Sequence, residues 1–343
     1  MKQFCRLFMQ PIQELYPLLL ESKKIVITTH QKPDGDAMGS SLGLYHFLLQ
    51  GGHTVQVISP TNWANFLDWM PGVEHVLDFE TNKEKSISLV NEADIVFCLD
   101  FNVIYRTKNF APHIENSKAT KVLIDHHQEP QEEQFAFGIS DTNKSSTCEM
   151  VFDFIQNSNQ KHFLNKEIAA CLYTGMMTDT GSFRFNSTTA SVHYAIAKLK
   201  ETGFNHTLVH EHIYDNFLES RLRFIGNALL NRMEVLYEYN TALMFIPKSD
   251  IYKYNIKTGD TEGLVNYLHT IQGIKLAAIC IDRDEERKWS FRSKGNFDVN
   301  TFARNHFEGG GHFHAAGGRS GDSLENTVST FKQVLKQYKE QLQ

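Results

Sequence analysis

The chain has 343 residues, of which 41% are hydrophobic and 22% charged, an ordinary globular composition that excludes disordered and fibrous classes. This length exceeds one compact core of the usual size and favours two domains. The net charge of -6 excludes a global basic surface, so tight sequence-independent binding to long duplex nucleic acid is not expected.

The cysteines and the polar residues near the N-terminus bear on the compartment. Five cysteines lie far apart without a CxxC pair, which indicates buried thiols in a reducing cytoplasm. Gln10 and Glu14 interrupt any apolar run of signal-peptide length, and no run is long enough to span a bilayer. The sequence therefore predicts a cytoplasmic protein with no membrane segment.

The first ligand-type residues lie in a loop after the first predicted strand. A β-branched run predicts this strand over residues 24–28, after an amphipathic helix predicted over residues 4–21. His30, Asp34 and Asp36 follow the strand. Because α/β proteins bind ligands at the carboxyl ends of strands, and because neighbouring carboxylates repel without a cation, the loop predicts a metal site.

A central strand is predicted next, and it ends in a carboxylate. A helix through residues 42–49 and a strand over 54–59 first complete a βαβ unit of a parallel sheet. A continuous apolar run over residues 94–99 then leads to Asp100. On its own, Asp100 favours a helix cap or turn. Arg106 is either a surface charge or a phosphate clamp, and the sequence leaves both open.

A further predicted strand, over residues 120–124, delivers Asp125, His126 and His127 to its carboxyl end. Consecutive side chains alternate in direction on an extended backbone, so the three cannot all point one way. One histidine can therefore face a metal while the other faces a substrate, and Asp125 orients the loop.

Two helices close this half of the chain. Ser146 and Glu149 have the spacing of a capping box, which predicts the start of a helix over residues 150–156. Asp179 follows a second predicted helix, and Gly181 favours its interpretation as a turn residue. A functional interpretation of Asp179 depends on the earlier clusters.

A histidine group further along resembles a metal site only in spacing. His206 and His210 are four residues apart, as in helical zinc sites. No Glu base lies between them and the segment is linker-like, so we expect these residues and His212 to be solvated surface residues.

The C-terminal part, from about residue 216, is predicted to form a smaller α+β unit. A helix over residues 221–237, a strand over 241–246 and a hairpin formed by 275–281 and 288–293 are predicted. The glycine-rich segment 308–318 allows backbone amides to approach an anion closely. A flexible linker is the alternative for this segment.

The ligand-type residues together predict a binuclear metal centre. One nitrogen donor for every two carboxylates suits Mn²⁺, with Mg²⁺ or another divalent ion as the alternative. Six ligands exceed what one ion needs and fit two ions about 3.5–4 Å apart that share a carboxylate. This arrangement predicts hydrolysis of phosphoesters or phosphoanhydrides. The six residues are His30, Asp34, Asp36, Asp100, His126 and Asp179.

The order of these residues resembles a known family. The His30-x3-Asp34-x-Asp36 loop, Asp100, the Asp125-His126-His127 triplet and Asp179 match the four motifs of the DHH phosphoesterase superfamily. Gly309 to His312, followed by Ala315-Ala316-Gly317, resembles the motif of its DHHA1 C-terminal domain, as does Arg292-Ser293. The size is similar to that of the bifunctional oligoribonuclease and pAp phosphatase group.

The resemblance implies an α/β fold. An N-terminal DHH domain with a mostly parallel sheet flanked by helices would span residues 1–190, and a helical linker would span 191–215. A smaller α+β DHHA1 domain for substrate binding would span 216–343.

The resemblance also implies roles for individual residues. His30 and Asp34 would hold one Mn²⁺, and Asp36, His126 and Asp179 the other, with Asp100 bridging them. Asp125 would orient a ligand or the loop, and His127 would touch the scissile phosphate or protonate the leaving oxygen. Residues implied to hold a terminal phosphate or base are Arg292, Ser293, Gly310, Gly311 and His312, with Arg106 as a weaker candidate.

The implied function is Mn²⁺-dependent hydrolysis of short single-stranded RNA or DNA oligonucleotides to mononucleotides, with nucleoside bisphosphates such as 3′-phosphoadenosine 5′-phosphate (pAp) as further substrates. A cleft between the metal centre and a phosphate-binding domain would limit substrate length, and a homodimer is left open. One alternative is an inorganic pyrophosphatase or exopolyphosphatase on the same fold. Another is a nucleotide-sensing module without turnover.

Overall fold

The computed structural model describes residues 9–257, 259–283 and 286–343. These residues form two compact units, which divide between Asn216 and Phe217. Residues 4–8 of the predicted N-terminal helix and the tip of the predicted hairpin at 284–285 lie outside the described residues. In the part of the chain described, no helix is long and apolar enough to cross a membrane.

The first unit contains a sheet whose strand pairings are parallel throughout. The strand order is β1-β7-β6-β5-β2-β3-β4, so successive strands run outward from β2 on one side and from β5 on the other. Ligands bind at such a switch point in α/β sheets. The predicted parallel sheet is confirmed. Its strands are β1 (Gln10–Pro11), β2 (Lys24–Thr28), β3 (Thr54–Ser59), β4 (Leu77–Asp78), β5 (Ile95–Leu99), β6 (Thr120–Asp125) and β7 (Phe137–Ser140).

Helices cover both faces of this sheet, with one apolar cluster under each face. On one face α1 packs closely on α5, because Gly39 leaves room where a Cβ would lie 2.5 Å from the carbonyl oxygen of Cys171. The helices are α1 (Gly35–Gln50), α2 (Lys83–Glu92), α3 (Ala111–Asn116), α4 (Thr147–Asn157), α5 (Lys166–Asp179), α6 (Ala190–Glu201) and α7 (His206–Tyr214).

Two parts of the first unit differ in detail from the expected elements. The predicted N-terminal amphipathic helix is a 3-10 helix over Ile12–Leu20, and Pro17 inside it has no N–H to donate to an α-helical bond. Its Ile12, Leu15 and Leu19 are buried, in keeping with the predicted apolar face. Most of residues 191–215, predicted as a linker, lie in α6 and α7 of this unit.

The second unit contains a mixed sheet in the order β12-β13-β11-β10-β9-β8. Its β9 and β10 are parallel, and its other pairings are antiparallel. The strands are β8 (Met233–Leu236), β9 (Thr241–Ile246), β10 (Leu276–Asp282), β11 (Arg287–Ser293), β12 (Gly310–His312) and β13 (Ala315–Ser320). The helices are α8 (Glu219–Asn231), α9 (Lys248–Lys253), α10 (Leu264–His269), α11 (Val299–His306), α12 (Leu324–Leu335) and α13 (Lys339–Leu342).

The predicted helix over residues 221–237 is wrong in its last part. α8 ends at Asn231, and the following residues form the edge strand β8 against β9. An aromatic core lies under the sheet: the ring of Trp289 stacks on those of Phe291 and Phe331 with centroids 5.4 and 5.1 Å away. This core supports β11, which carries Arg292 and Ser293, and β13, which pairs with the strand that carries Gly310, Gly311 and His312.

Candidate metal centre

Three adjacent strands of the parallel sheet end at one place. Asp100 directly follows β5, His126 follows β6, and His30 comes two residues after β2. At the start of α1, the Asp34 carboxylate caps the helix by accepting from the N–H groups of Asp36 and Ala37. Asp179 is the last residue of α5.

The two oxygens of Asp100 face two different imidazoles. Its Oδ2 lies 3.4 Å from Nε2 of His30, and its Oδ1 lies 3.4 Å from Nε2 of His126. Asp34 joins His30 and Asp100, with one ligand atom of each within 4.8 Å of the others. His126 Nε2 also lies 3.4 Å from Asp179 Oδ2 and 3.8 Å from Asp36 Oδ2. The structure thus brings all six predicted ligands together, in two groups that share Asp100.

The donor set fits a divalent cation. Nδ1 of His30 lies 2.8 Å from the carbonyl oxygen of Gln31, which can only accept, so Nδ1 carries the hydrogen. In the neutral imidazole, the lone pair of Nε2 therefore faces the Asp100 carboxylate, another acceptor. Nε2 of His126 likewise faces oxygens of three carboxylates. A cation between these atoms would turn their mutual repulsion into ligation, and mixed nitrogen and oxygen donors are compatible with Mn²⁺.

Without metal, the pKa values of Asp36, Asp179 and His126 are shifted by burial and by the neighbouring charges. Burial, together with the charges of Asp100 and Asp179, raises the pKa of Asp36 well above its usual value. Burial also raises the pKa of Asp179 to about 7, although His126 opposes the shift. For His126 burial lowers the pKa, but Asp100 and Asp179 outweigh it and raise the pKa well above the usual value. Without a cation, the cluster therefore holds protons near neutral pH.

Asp125 and His127 form a separate pair beside the cluster. Nδ1 of His127 lies 2.7 Å from Oδ1 of the fully buried Asp125. Because the carboxylate accepts, Nδ1–H donates to it, and this bond fixes the orientation of the ring. The ring itself is half-buried.

Arg106 lies in the 3-10 helix Ile104–Phe110, and its carbonyl oxygen accepts a hydrogen bond of 3.0 Å from the N–H of Gln31. This bond fixes the 3-10 helix to the loop that carries His30. Burial and, more weakly, the charge of Arg106 lower the pKa of His30, but Asp100 and Asp34 outweigh them and raise it. The structure thus places the backbone of Arg106 beside the loop that carries His30.

In the second unit, two of the predicted substrate residues lie in one row across three strands. His312 of β12 is opposite Ala315 of β13, and Ala315 is opposite Arg292 of β11. Directly opposite residues point to the same face, so His312 and Arg292 share a face with a small side chain between them. Strand spacing places their backbones about 10 Å apart.

The glycines and Ser293 of this unit are held by side chains that sequence reasoning missed. Asn300 Oδ1 accepts a bond of 2.9 Å from the Gly311 N–H. Gly311 has φ 153°, and a Cβ there would lie 2.5 Å from the carbonyl oxygen of Ala315. The buried Ser293 hydroxyl donates to the carbonyl oxygen of Phe297 at 2.6 Å, and Nδ1 of His314 lies 3.1 Å from it. A single Asn or His in this region carries no sequence signal that would have identified it.

The histidines with zinc-like spacing have separate partners. The Tyr173 hydroxyl lies 2.9 Å from Nε2 of His210, and the His212 ring stacks on Trp69 with centroids 4.7 Å apart. His206 contacts Lys200. They are half-buried rather than solvated, because α7 packs within the first unit, and among the described residues they form no metal-type group.

Comparison with known proteins covers both units. Residues 24–176 match the DHH family, N-terminal domain, and residues 238–341 match the DHHA1 domain. A bifunctional oligoribonuclease and PAP phosphatase NrnA from Bacillus subtilis is 25% identical over 319 residues, covering 92% of this chain and 95% of that protein. The protein of the same name from Thermus thermophilus is 29% identical over 323 residues, covering 93% and 90%.

A solved structure has the same fold over nearly the whole length. The crystal structure of an exopolyphosphatase-related protein from Bacteroides fragilis is 38% identical, with a TM-score of 0.92, and covers 98% of this chain and 99% of that one.

Proposed function

The chain belongs to the DHH phosphoesterases and carries their DHHA1 domain, and from this premise we propose that it hydrolyses short oligonucleotides to mononucleotides and also dephosphorylates pAp. The observation that carries the proposal is the pair of ligand groups that share Asp100. Relatives named as oligoribonuclease and PAP phosphatase support the substrate class, because they align over most of both chains.

Two Mn²⁺ ions are the proposed cofactors. His30, Asp34 and Asp100 would hold one ion, and Asp36, His126, Asp179 and Asp100 the other. When bound, such ions neutralise phosphoryl oxygens and lower the pKa of a coordinated water.

His127 is the proposed proton-transfer residue. Asp125 accepts from its Nδ1–H and orients the ring, and Nε2 would touch the scissile phosphate or protonate the leaving oxygen. Asp125 acts through His127, because its buried Oδ1 accepts from that ring and fixes its orientation.

The DHHA1 residues are proposed to bind the rest of the substrate. Arg292 and His312 share one sheet face, with Ala315 between them, and can hold a terminal phosphate or base. Gly310 and Gly311 contribute a backbone without side chains there. So few phosphate contacts suit a short ligand, and the net charge of -6 disfavours a long polyanion.

An exopolyphosphatase or pyrophosphatase activity is the second candidate, because the Bacteroides fragilis relative is described as exopolyphosphatase-related. The two candidates differ in their products. The first releases nucleoside monophosphates from a dinucleotide, and the second releases inorganic phosphate from a substrate without a nucleoside.

Product analysis separates them. Purified protein with Mn²⁺ is given labelled RNA from the dinucleotide to about ten nucleotides, and in parallel pAp, pyrophosphate and polyphosphate. We expect mononucleotides from the shortest RNAs, rates that fall with length, and AMP from pAp. Phosphate from polyphosphate with no product from the dinucleotide would replace the proposal with the second candidate.

A further inference from the structure

The start of α4 contacts two carboxylates of the metal-type cluster. The N–H groups of Thr147 and Cys148 donate to Oδ2 and Oδ1 of Asp36 at 2.6 and 2.9 Å. The hydroxyl of Thr147 donates to Oδ1 of Asp100 at 3.0 Å. Thr147 is fully buried, so no water competes for this bond.

The contact with Asp100 has a defined direction. A carboxylate in the ionised form that binds a metal has no hydrogen to donate, so Asp100 only accepts. The Thr147 hydroxyl therefore supplies the hydrogen. It occupies one lone-pair direction of Oδ1, the same oxygen that lies 3.4 Å from Nε2 of His126. The carboxylate is thereby fixed in rotation, with its two oxygens directed at two imidazoles.

A buried ionic group fixes the start of α4 itself. The carboxylate of Glu149, which is 1% exposed, accepts from the N–H and hydroxyl of Ser145 at 2.8 and 2.9 Å. It also accepts from Ser191 of α6 at 2.7 Å and from Lys144 at 3.1 Å. The first turn of α4 is therefore also held by contacts that do not involve the cluster, which limits the positions that Thr147 can adopt.

We propose that Thr147 is a positioning residue of the metal centre: its hydroxyl holds Asp100 in the orientation in which one carboxylate serves both ligand groups. The inference rests on the proposed two-ion centre. A role in packing alone would depend on the volume of the side chain and not on its hydroxyl.

The test is calorimetric titration of metal-free full-length protein with Mn²⁺. Thr147→Val keeps the shape and removes the hydroxyl, and we expect Mn²⁺ binding to weaken about 10- to 100-fold, as for other partners of ligating groups. Thr147→Ser keeps the hydroxyl and should bind within about three-fold of wild type. At saturating Mn²⁺ the Val variant should have a lower kcat for a dinucleotide with an unchanged KM.

Thr174→Val is the matched control, because Thr174 is equally buried and its hydroxyl donates only to the carbonyl oxygen of Ala170 in its own helix. It should bind Mn²⁺ like wild type. If Thr147→Val does not fold, Thr147→Ala removes the same hydroxyl without placing a methyl group against Asp100.

Wild-type Mn²⁺ affinity in a folded variant without the hydroxyl, or equal losses in Thr147→Ser and Thr147→Val, would overturn the proposal. Because this readout needs no substrate, it is independent of the proposed substrate class. Absence of Mn²⁺ binding in the wild type would instead refute the metal centre and the inference with it.

Discussion

The two units present their polar residues in opposite ways. In the first, imidazoles and carboxylates are buried and face each other at 3.4 to 3.8 Å, so protons or a cation must lie between them. In the second, Arg292 and His312 stand on a half-exposed sheet face above an aromatic core. Among the described residues, the first region therefore has the donor set of a metal site, whereas Arg292 and His312 in the second lie on a sheet face where a substrate can contact them.

The largest expected effect comes from removing the shared carboxylate. Asp100→Asn keeps the shape but removes the charge that both ligand groups use, so we expect hydrolysis of a dinucleotide to fall by more than about 100-fold, beyond the loss from an outer partner. The Mn²⁺ content should fall as well. Both are measured on purified protein.

Asp94→Asn is the matched control, because Asp94 lies at the other end of the same strand and accepts from the N–H of Lys24. It should retain full activity and metal content. Normal Mn²⁺ content in Asp100→Asn would contradict the shared-ligand arrangement.

Alanine substitution at one glycine in each unit tests how tightly the helix that carries it is packed. A Cβ on Gly175 would lie 2.6 Å from Oδ1 of Asp36 and 2.2 Å from Sγ of Cys148, whereas one on Gly226 of α8 would meet nothing within 4 Å. We expect Gly175→Ala to lower the free energy of unfolding by about 1–3 kcal/mol and to impair Mn²⁺ binding. Gly226→Ala should raise it by about 0.5–1 kcal/mol. Urea unfolding measures both changes. Equal changes in the free energy of unfolding for the two variants would contradict the difference in packing at Gly175 and Gly226.

The second unit should respond in KM rather than in metal content. Asn300→Ala removes the acceptor of the Gly311 N–H, a bond of about 1 kcal/mol, so KM for a dinucleotide should rise about five-fold. Asn300→Asp keeps an acceptor and should have a smaller effect. Loss of Mn²⁺ in either variant would contradict the separation of roles.

The smallest effect is a pH dependence that differs in sign between the two regions. Metal-free protein holds a proton on Asp179, whose pKa burial raises to about 7 from an unfolded value near 4. This stabilisation is complete below the unfolded pKa and is lost as pH rises through about 7. His126, with its raised pKa, acts in the same direction. Tm in EDTA should therefore fall from about pH 5 to about pH 8, and the fall should be smaller in Asp179→Asn than in the wild type.

In the second unit the dependence of stability on pH has the opposite sign. Burial, then Lys294 and Arg292, lower the pKa of His269 to about 4. Its stabilisation is present above an unfolded pKa of about 6.5 and is lost as pH falls through about 4. His269→Gln should remove this decrease in Tm at acid pH. A metal-free Tm that rises with pH between about 5 and 8 would contradict the ionisation described for the first unit.

The sequence predicted that the six proposed ligand residues lie together, because they occur at the ends of strands and helices whose own patterns are strong. The buried run before Asp100 and the rule that parallel strands end at one edge were sufficient to place it near His30 and His126. The family resemblance supplied the pairing into two groups, and the distances agree with that pairing.

Tertiary features could not be read from local pattern. The capping residues Ser146 and Glu149 predicted where a helix begins, but not that Thr147 beside them meets Asp100. The residues of β8 continue an apolar pattern typical of a helix, but they form a strand because they pair with β9. The positive φ of 64° at Asp100 likewise arises from the turn after β5, where a short polar side chain tolerates it.

Anomalous scattering from crystals grown with Mn²⁺ would test the central claim most directly. We expect two peaks, one contacted by His30 and Asp34 and the other by Asp36, His126 and Asp179, with Asp100 contacting both. A single peak, or two peaks of which only one contacts Asp100, would contradict it.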